Sequence, residues 1–304
     1  MIVTDPAEFL AAFSNDRYPV RAAATARAAF LVSPASMTLA AESASDNRYM
    51  DLAQAFDPSR ALAQHTDLAR RLGGDVPVIS FAGSADSPDD MFPNNVFATA
   101  PQRFIVGHMR HAVRQREADR ADIRGFFRDT LGYRLVDLSH EPGIAELTGS
   151  LVIDRARGIG YCGLSERCDA AGARAMHDAF GLRLMFCFEL AEGEYHTNVV
   201  MALLASRAAL IAADGFRDPA VPRAIAHALG DAVVWLSLAQ KNAFSGNAIT
   251  LAPDRVWLST RGADALDAAQ RGALERSGFA LADVGLDEIE KAGGSLRCCV
   301  AEIF

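Results

Sequence analysis

The 304 residues include 30 Lys+Arg against 38 Asp+Glu, a formal net charge of −8, with 50% of residues hydrophobic and 22% charged. That length allows one large or two ordinary domains, and the composition is that of a soluble globular chain with a sizeable core. The acidic balance argues against nucleic acid or an anionic membrane as a partner.

Arginine far outnumbers lysine, which occurs only at Lys241 and Lys291; with the abundance of alanine, this reads as base-composition bias. Cys162, Cys168, Cys187, Cys298 and Cys299 make a poor disulfide framework, being odd in number with one adjacent pair. No basic segment followed by an apolar stretch opens the chain. The most apolar run, Val199 to Ala213, is interrupted by Ser206-Arg207 and is too short to cross a bilayer. A cytoplasmic, reducing location is the expectation.

In chain order, Met1 to Ala28 reads as an N-terminal extension with a short capped helix over Asp5 to Phe13. Residues 29–304 read as a single domain. Its first strand is predicted over Ala29 to Ser33, followed by helical Tyr49 to Leu72 and the strand Val78 to Phe81. Then come strands Asn95 to Thr99 and Phe104 to His108, a charged helix from Val113 to Asp129, and the strand Tyr133 to Leu138. The same order returns as Val152 to Asp154, Ile159 to Leu164, helix Ala170 to Phe180 and strand Arg183 to Phe188. It returns again as Asn198 to Ala205, Ala208 to Ala213, helix Val221 to Leu229 and strand Ala232 to Leu236. A further round is Ala248 to Leu251, Val256 to Ser259, helix Asp264 to Ser277 and strand Ala280 to Val284. The last predicted strand, Leu296 to Phe304, pairs with Ala29 to Ser33 and completes the first unit. Five strand-strand-helix-strand units result, and a period of about fifty residues points to a propeller-like or solenoid array. Pairing the two ends of the chain removes exposed sheet edges, which are an aggregation liability.

Asp89 to Asn95, Glu146, His196, Gly246-Asn247 and Cys298 all fall at the entrance to the first strand of their unit. In a closed ring, equivalent positions face one axis, so these residues are expected to share a pocket. Each has a plainer reading when taken alone. Cys298 fits a buried strand cysteine, Glu146 a solvated loop carboxylate and His196 a packed histidine. Asn94-Asn95 fit a turn, Arg167 a surface arginine, and Arg116-Glu117 an ion-paired helix. The shared phase of the repeat favours the common pocket.

Together the set describes a nucleophilic hydrolase. Gly293-Gly294 allow crowded backbone beside a ligand, and Arg297 favours the Cys298 thiolate. His196 serves as general acid and then general base, while Glu146 orients it or holds a planar cation. Asparagine amides donate and accept, which suits an amide-like substrate group. An arginine fork suits a substrate carboxylate. Neither Cys-x-x-Cys nor His-x-x-x-His spacing for zinc occurs, and no Walker or dinucleotide glycine motif is present; no metal and no cofactor is expected. The Cys162/Cys168 spacing looks structural. Redox chemistry at Cys298-Cys299 leaves the other four positions unexplained.

These residues resemble the guanidino-group-modifying superfamily, also called the amidinotransferase or arginine deiminase superfamily, and within it the citrulline-utilisation hydrolase branch. The motifs are Pro88-Asp89-Asp90-Met91-Phe92-Pro93-Asn94-Asn95, Glu146-Leu147-Thr148-Gly149-Ser150, Leu164-Ser165-Glu166-Arg167, His196-Thr197-Asn198-Val199, Phe244-Ser245-Gly246-Asn247 and Gly293 to Cys298. The likeness runs from the region of Phe30 to the end of the chain. It implies a five-bladed pseudo-symmetric α/β propeller. It also implies Cys298 as covalent nucleophile, His196 as general acid/base, Glu146 as assisting carboxylate and Arg167 as the binder of a substrate carboxylate. Asp89, Phe92, Asn94, Asn95, Arg116, Asn198 and Asn247 complete the expected substrate-binding set.

Asn95 and Asn198 stand where deiminases of the superfamily carry acidic residues, and Cys299 where the branch usually has Met. Fewer carboxylates weaken the attraction for a guanidinium and favour a neutral ureido group, as in citrulline, although superfamily dihydrolases combine Asn at the first position with arginine-type substrates. The expectation is a cysteine hydrolase of a ureido or guanidino amino acid. An amidinotransferase, a deiminase of arginine or dimethylarginine, and a catalytically idle amino-acid-binding protein are the alternatives. The apolar helices are compatible with a homodimer.

Overall fold

The computed structural model describes every residue except Arg17, Met37, Asp51 and Asp231, and of Asp16 the backbone alone. The strands are β1 (Ile2–Val3), β2 (Ala28–Val32), β3 (Val78–Phe81), β4 (Phe97–Ala100), β5 (Arg103–Val106), β6 (Arg134–Asp137), β7 (Leu151–Asp154) and β8 (Ile159–Leu164). They continue as β9 (Leu184–Glu189), β10 (Met201–Leu204), β11 (Ala208–Ala212), β12 (Val233–Leu236), β13 (Ile249–Ala252), β14 (Arg255–Ser259), β15 (Ala280–Val284) and β16 (Ala301–Ile303). Five sheets form, in the orders β16-β2-β3, β4-β5-β6, β7-β8-β9-β1, β10-β11-β12 and β13-β14-β15.

Every sheet follows one plan. Its first strand pairs antiparallel with the second, through a short connection in all but β16-β2-β3, and the second pairs parallel with the third across a helical crossover. The expected joining of the chain ends is present, with Ala301 opposite Phe30 and Phe30 opposite Ile79. A parallel pair requires such a long crossover, and local sequence marks where each helix begins. Asp57 accepts from the amides of Ser59 and Arg60, and Pro58 occupies the first helical position of Pro58–Leu72. Asp169 caps Ala170–Phe180, which ends at Gly181 with φ +66°.

Apolar side chains fill the spaces between successive sheets. Phe30, Phe97 and Phe104 lie between the first sheet and the second; Ile105, Leu151 and Met185 between the second and third. Tyr161, Phe186 and Ile211 fill the next space, and Leu204, Leu210 and Leu258 the one after it. Leu31, Leu251, Trp257 and Val300 connect the fifth sheet back to the first.

Several predicted elements end elsewhere, each for a local reason. The helix expected from Tyr49 starts at Pro58, because proline lacks the N–H that a helix interior needs. The helix expected over Val113 to Asp129 divides into Ala112–Ala118, Ala121–Gly125 and a wider turn over Phe126–Thr130. Arg124 Nε donates to the Ala118 carbonyl at the break, at 2.5 Å. The helix expected over Asp264 to Ser277 is two, Thr260–Asp264 capped by Ser259 and Ala268–Arg276 started by an Asp267/Gln270 capping box. At the C-terminus, Leu296–Cys299 is a helical turn and the strand starts only at Ala301.

The segment before residue 29 is built into the sheets. β1 adds to β9 with Ile2 opposite Met185. Asp5 Oδ1 accepts from the amides of Ala7 and Glu8 and starts the helix Pro6–Asp16. That helix buries Phe9 flat against Phe186, ring centres 4.6 Å apart. Burying one such ring stabilises the fold by about 1.5–3 kcal/mol.

Candidate active site

The residues singled out by the repeat lie one step before their strands, in short turns. Pro93–Asn95 precedes β4, Leu147–Ser150 precedes β7, Thr197–Val200 precedes β10 and Leu296–Cys299 precedes β16. Glu146 and His196 are the residues immediately before two of these turns. Gly246 supplies the corresponding bend before β13; a Cβ there would collide with the Val199 carbonyl.

Glu146 is completely buried and His196 nearly so. Glu146 Oε2 accepts from His196 Nε2 at 2.9 Å, and Arg167 Nη1 stands 3.3 Å from each Glu146 oxygen. Burial alone would raise the Glu146 carboxyl, but the Arg167 charge and the His196 hydrogen bond outweigh it and hold the group well below the usual carboxylate range. Burial lowers His196, against the pull of Glu146, so the ring is neutral at neutral pH. With Nε2 donating to Glu146, Nδ1 is the unprotonated nitrogen and is buried without a partner.

Cys298, 2% exposed, lies at the centre of the asparagines. Asn247 Nδ2 donates to its sulfur at 3.4 Å, and Asn198 Oδ1 lies 3.9 Å from Sγ. Asn247 is itself fixed, donating to the Asn198 carbonyl at 2.9 Å and accepting from the Arg297 amide at 2.9 Å. Asn198 Nδ2 donates to the Thr148 carbonyl at 3.1 Å. Burial pushes the Cys298 thiol up, against smaller opposing effects from hydrogen bonds, Arg297 and Arg114. Arg297 thus acts in the expected direction, toward the thiolate, but burial outweighs it; its guanidinium turns to the Val300 carbonyl at 2.7 Å and Glu302 at 2.9 Å.

Across the cavity, Arg114 is the organising cation. Its Nε and Nη2 meet the two oxygens of Glu117 at 3.0 and 2.9 Å, and Nη1 donates to Asn95 Oδ1 at 3.0 Å. Removing one partner of such a buried pair costs about 3–5 kcal/mol. Burial raises Glu117 to about 8 despite Arg114 beside it. Because Arg114 claims Oδ1, the Asn95 amide nitrogen has no protein partner and remains as a donor. Gly149 makes this approach feasible; a Cβ there would collide with Asn95 Nδ2 and come within 2.8 Å of His196 Cε1.

These side chains converge on a narrow cavity lined by Asp89, Phe92, Asn95, Arg114, Arg167, Tyr195, His196 and Cys298. Ser43 and Asn47 line it from the segment between β2 and the first crossover helix. Ser43 Oγ donates to Asp89 Oδ2, leaving Asp89 Oδ1 buried without a partner. Phe92 presses its ring toward Gly294, where a Cβ would approach to 2.8 Å. Asn94 lies behind the lining, its carbonyl accepting from Thr148 Oγ1 at 3.0 Å. Asn247 and Asn198 lie behind Cys298.

Arg167 is placed against Glu146 and Asp46, with Nε 3.0 Å and Nη2 2.5 Å from Asp46 Oδ1. Arg116 is not brought to the cavity. It is exposed, reaches the Asp86 carbonyl at 3.5 Å, and lines a separate groove with His108 and His140. Its neighbour Arg114 holds the inward position. Helical spacing contained that signal, since 113, 114, 117 and 118 form the buried face. Asp46, Ser43 and Asn47 carried no comparable pattern. Both arginines lining the cavity are engaged by carboxyl groups, Arg114 by Glu117 and Arg167 by Asp46 and Glu146, while Asp89 keeps one buried oxygen without a partner. Among the described residues, no group of three or more His, Cys, Asp or Glu is arranged to hold a metal ion.

The family model described as "N,N dimethylarginine dimethylhydrolase, eukaryotic" matches residues 33–304. The chain belongs to this family. The N,N-dimethylarginine dimethylhydrolase family lies in the guanidino-group-modifying superfamily, among hydrolases acting on guanidino C–N bonds. The uncharacterized protein YkgA of Bacillus subtilis (strain 168) is 24% identical over 245 residues, 79% of either chain. The substrate-bound N-terminal domain of ArgZ, an arginine dihydrolase from the ornithine-ammonia cycle in cyanobacteria, is similar with a TM-score of 0.78. It is 17% identical, and the match covers 91% of this chain and 97% of that one. A dimethylarginine dimethylaminohydrolase adduct with S-methyl-L-thiocitrulline gives a TM-score of 0.71 at 18% identity, covering 91% of this chain and all of the other. The mixed α/β fold of this family member is that of amidinotransferase-superfamily structures.

Among the described residues no helix is long and apolar enough to cross a membrane.

Proposed function

We propose that the protein is a cysteine hydrolase of a small guanidino or ureido amino acid, its five sheets forming the blades of an α/β propeller around the cavity. The observation that carries this reading is the set of buried, unpartnered atoms around Cys298: His196 Nδ1, Asp89 Oδ1 and Asn95 Nδ2. Buried polar atoms without partners are costly and few in native proteins, and a substrate supplies partners for all three.

The substrate guanidinium meets Asp89, and its positive charge beside Sγ favours loss of the thiol proton that burial otherwise retains. His196 Nδ1 accepts that proton. The Cys298 sulfur bonds to the central guanidino carbon, and His196 returns the proton to the departing nitrogen as the C–N bond breaks. The adduct is a thiouronium. Water then gives a proton to His196 and adds to the same carbon; the C–S bond breaks, His196 returns that proton to the Cys298 sulfur, and a ureido group is released. Splitting one difficult displacement into two steps is the benefit of a covalent nucleophile.

Asn95 Nδ2 is a donor and suits the ureido oxygen better than a guanidinium N–H. On this reading a ureido group is itself a substrate for a second cycle, in which one of its two remaining C–N bonds is cleaved. The substrate carboxylate takes the Nε/Nη2 edge of Arg167 that Asp46 occupies.

Mass-spectrometric product analysis on arginine, N,N-dimethylarginine and citrulline, beside a Cys298→Ala control, tests the reading. Cys298-dependent loss of nitrogen from one of them is the expected result. Saturable binding without any Cys298-dependent product would identify an idle amino-acid-binding protein instead. In Asn95→Asp, the ureido product should accumulate relative to completed hydrolysis.

A further inference from the structure

A second, small cavity lies among the first strands of the sheets and is lined by residues of β7, β10, β13 and β16. Arg155, Arg297, Glu302, Thr250 and Asn198 supply its polar lining. It is distinct from the catalytic cavity, which shares none of these residues. Asn198 stands between the two, its Oδ1 3.9 Å from Cys298 Sγ.

The charges of this cavity do not balance. Glu302 is engaged by Arg297, with Nη2 2.9 Å from Oε2. Arg155 gives one hydrogen bond, from Nη1 to the Thr99 carbonyl at 3.0 Å, and among the described residues no carboxylate lies within ion-pair distance of it. Its remaining surroundings include the Phe304 and Phe180 rings, whose centres lie 4.2 and 5.2 Å from the guanidinium carbon. Aromatic rings attract the cation through their faces but give no acceptor to its in-plane N–H groups. The Phe304 carbonyl accepts from Tyr133 instead, at 2.6 Å. Burial pulls Arg155 down to about 10, with Glu302 opposing and Arg297 adding to the shift. Thr250 Oγ1 accepts from the Ala205 amide at 2.9 Å, so its hydroxyl proton is left to donate.

We infer that this cavity binds a small planar oxyanion, of formate or bicarbonate size, gripped by the Arg155 fork. A guanidinium edge matches two oxygens of a planar anion through parallel hydrogen bonds, a geometry that a spherical halide cannot use. The ion neutralises the excess charge and fills donors that the protein leaves open. The inference rests on the cavity's own charges and stands apart from the hydrolase reading.

Calorimetric titration of the full chain with sodium formate and sodium bicarbonate, with sodium chloride at equal ionic strength as comparator, tests it. Saturable binding of formate or bicarbonate is expected, weakened at least about tenfold in Arg155→Gln, the loss of a bidentate charge-assisted contact. Arg155→Lys keeps the charge but not the fork; it should also bind more weakly, and it provides the same reading if the glutamine variant does not fold. No saturable binding to the unmodified chain, equal binding by the Arg155 variants, or chloride binding as tight as formate would each overturn the assignment. None of these readouts depends on turnover, so a failure here is separable from a failure of the proposed activity.

Discussion

His196 Nε2 and Glu146 Oε2 are 2.9 Å apart, with the histidine side chain 1% exposed and the carboxylate fully enclosed. The contact fixes which histidine nitrogen faces the cavity. Arg167, 3.3 Å from both Glu146 oxygens, keeps the carboxylate ionised. The contact fixes one tautomer, while burial keeps the imidazole neutral against the pull of Glu146 and keeps the Cys298 thiol protonated.

Glu146→Gln retains the shape of the contact and removes the charge. Turnover should fall by about 10²–10⁴-fold, the usual range for loss of acid–base assistance. Glu146 raises His196, so removing its charge should also move the acid limb of the pH–kcat/KM profile to lower pH. A merely structural role would leave that limb in place. An unchanged kcat, or a limb displaced upward, would contradict the assignment.

Cys298 is held above its ordinary range by burial. Its thiolate fraction at neutral pH is then below that of an exposed cysteine. In the ligand-free protein, iodoacetamide labelling of the Cys298 peptide should rise about tenfold per pH unit from neutrality, as thiolate fraction does, without levelling before pH 9.0. A plateau below neutrality would show a thiolate formed without substrate.

Gly149→Ala tests the closeness of the site. Its Cβ collides with Asn95 Nδ2 and lies within 2.8 Å of His196 Cε1, so one of those groups must move. An ångström-scale displacement of this kind costs about 10²-fold in rate, and overpacking costs about 1–3 kcal/mol in stability. Activity retained within a few-fold would place the reacting atoms elsewhere. Chemical denaturation beside the activity assay separates the two effects.

The repeat was legible because it rests on composition: runs such as Ala208 to Ala212 and Leu184 to Phe188 are apolar on both faces, as enclosed parallel strands are. Cys298, His196, Glu146 and Asn95 followed from their phase in that repeat. What escaped was orientation. Arg116 and Arg114 differ by two positions and face opposite ways on a helix only seven residues long, whose start was not marked by a side-chain cap. The Cys298 segment has β-like composition, yet its turn is closed by hydrogen bonds from the Cys298 and Cys299 amides to the Ser295 carbonyl, at 3.0 and 3.3 Å. Asp46, Ser43 and Asn47 reach the site from an irregular segment that no periodicity describes. Arg297 acts on Cys298 in the expected direction, but adjacency in sequence showed neither that burial outweighs it nor that its side chain turns to Val300 and Glu302.

Intact-protein mass spectrometry, after rapid acid quenching with arginine, N,N-dimethylarginine or citrulline, tests the central claim most directly. A mass increase that maps to the peptide containing Cys298, and is lost in Cys298→Ala, is the predicted result. Turnover of one of these compounds with no adduct on that peptide, or turnover that survives Cys298→Ala, would contradict the account.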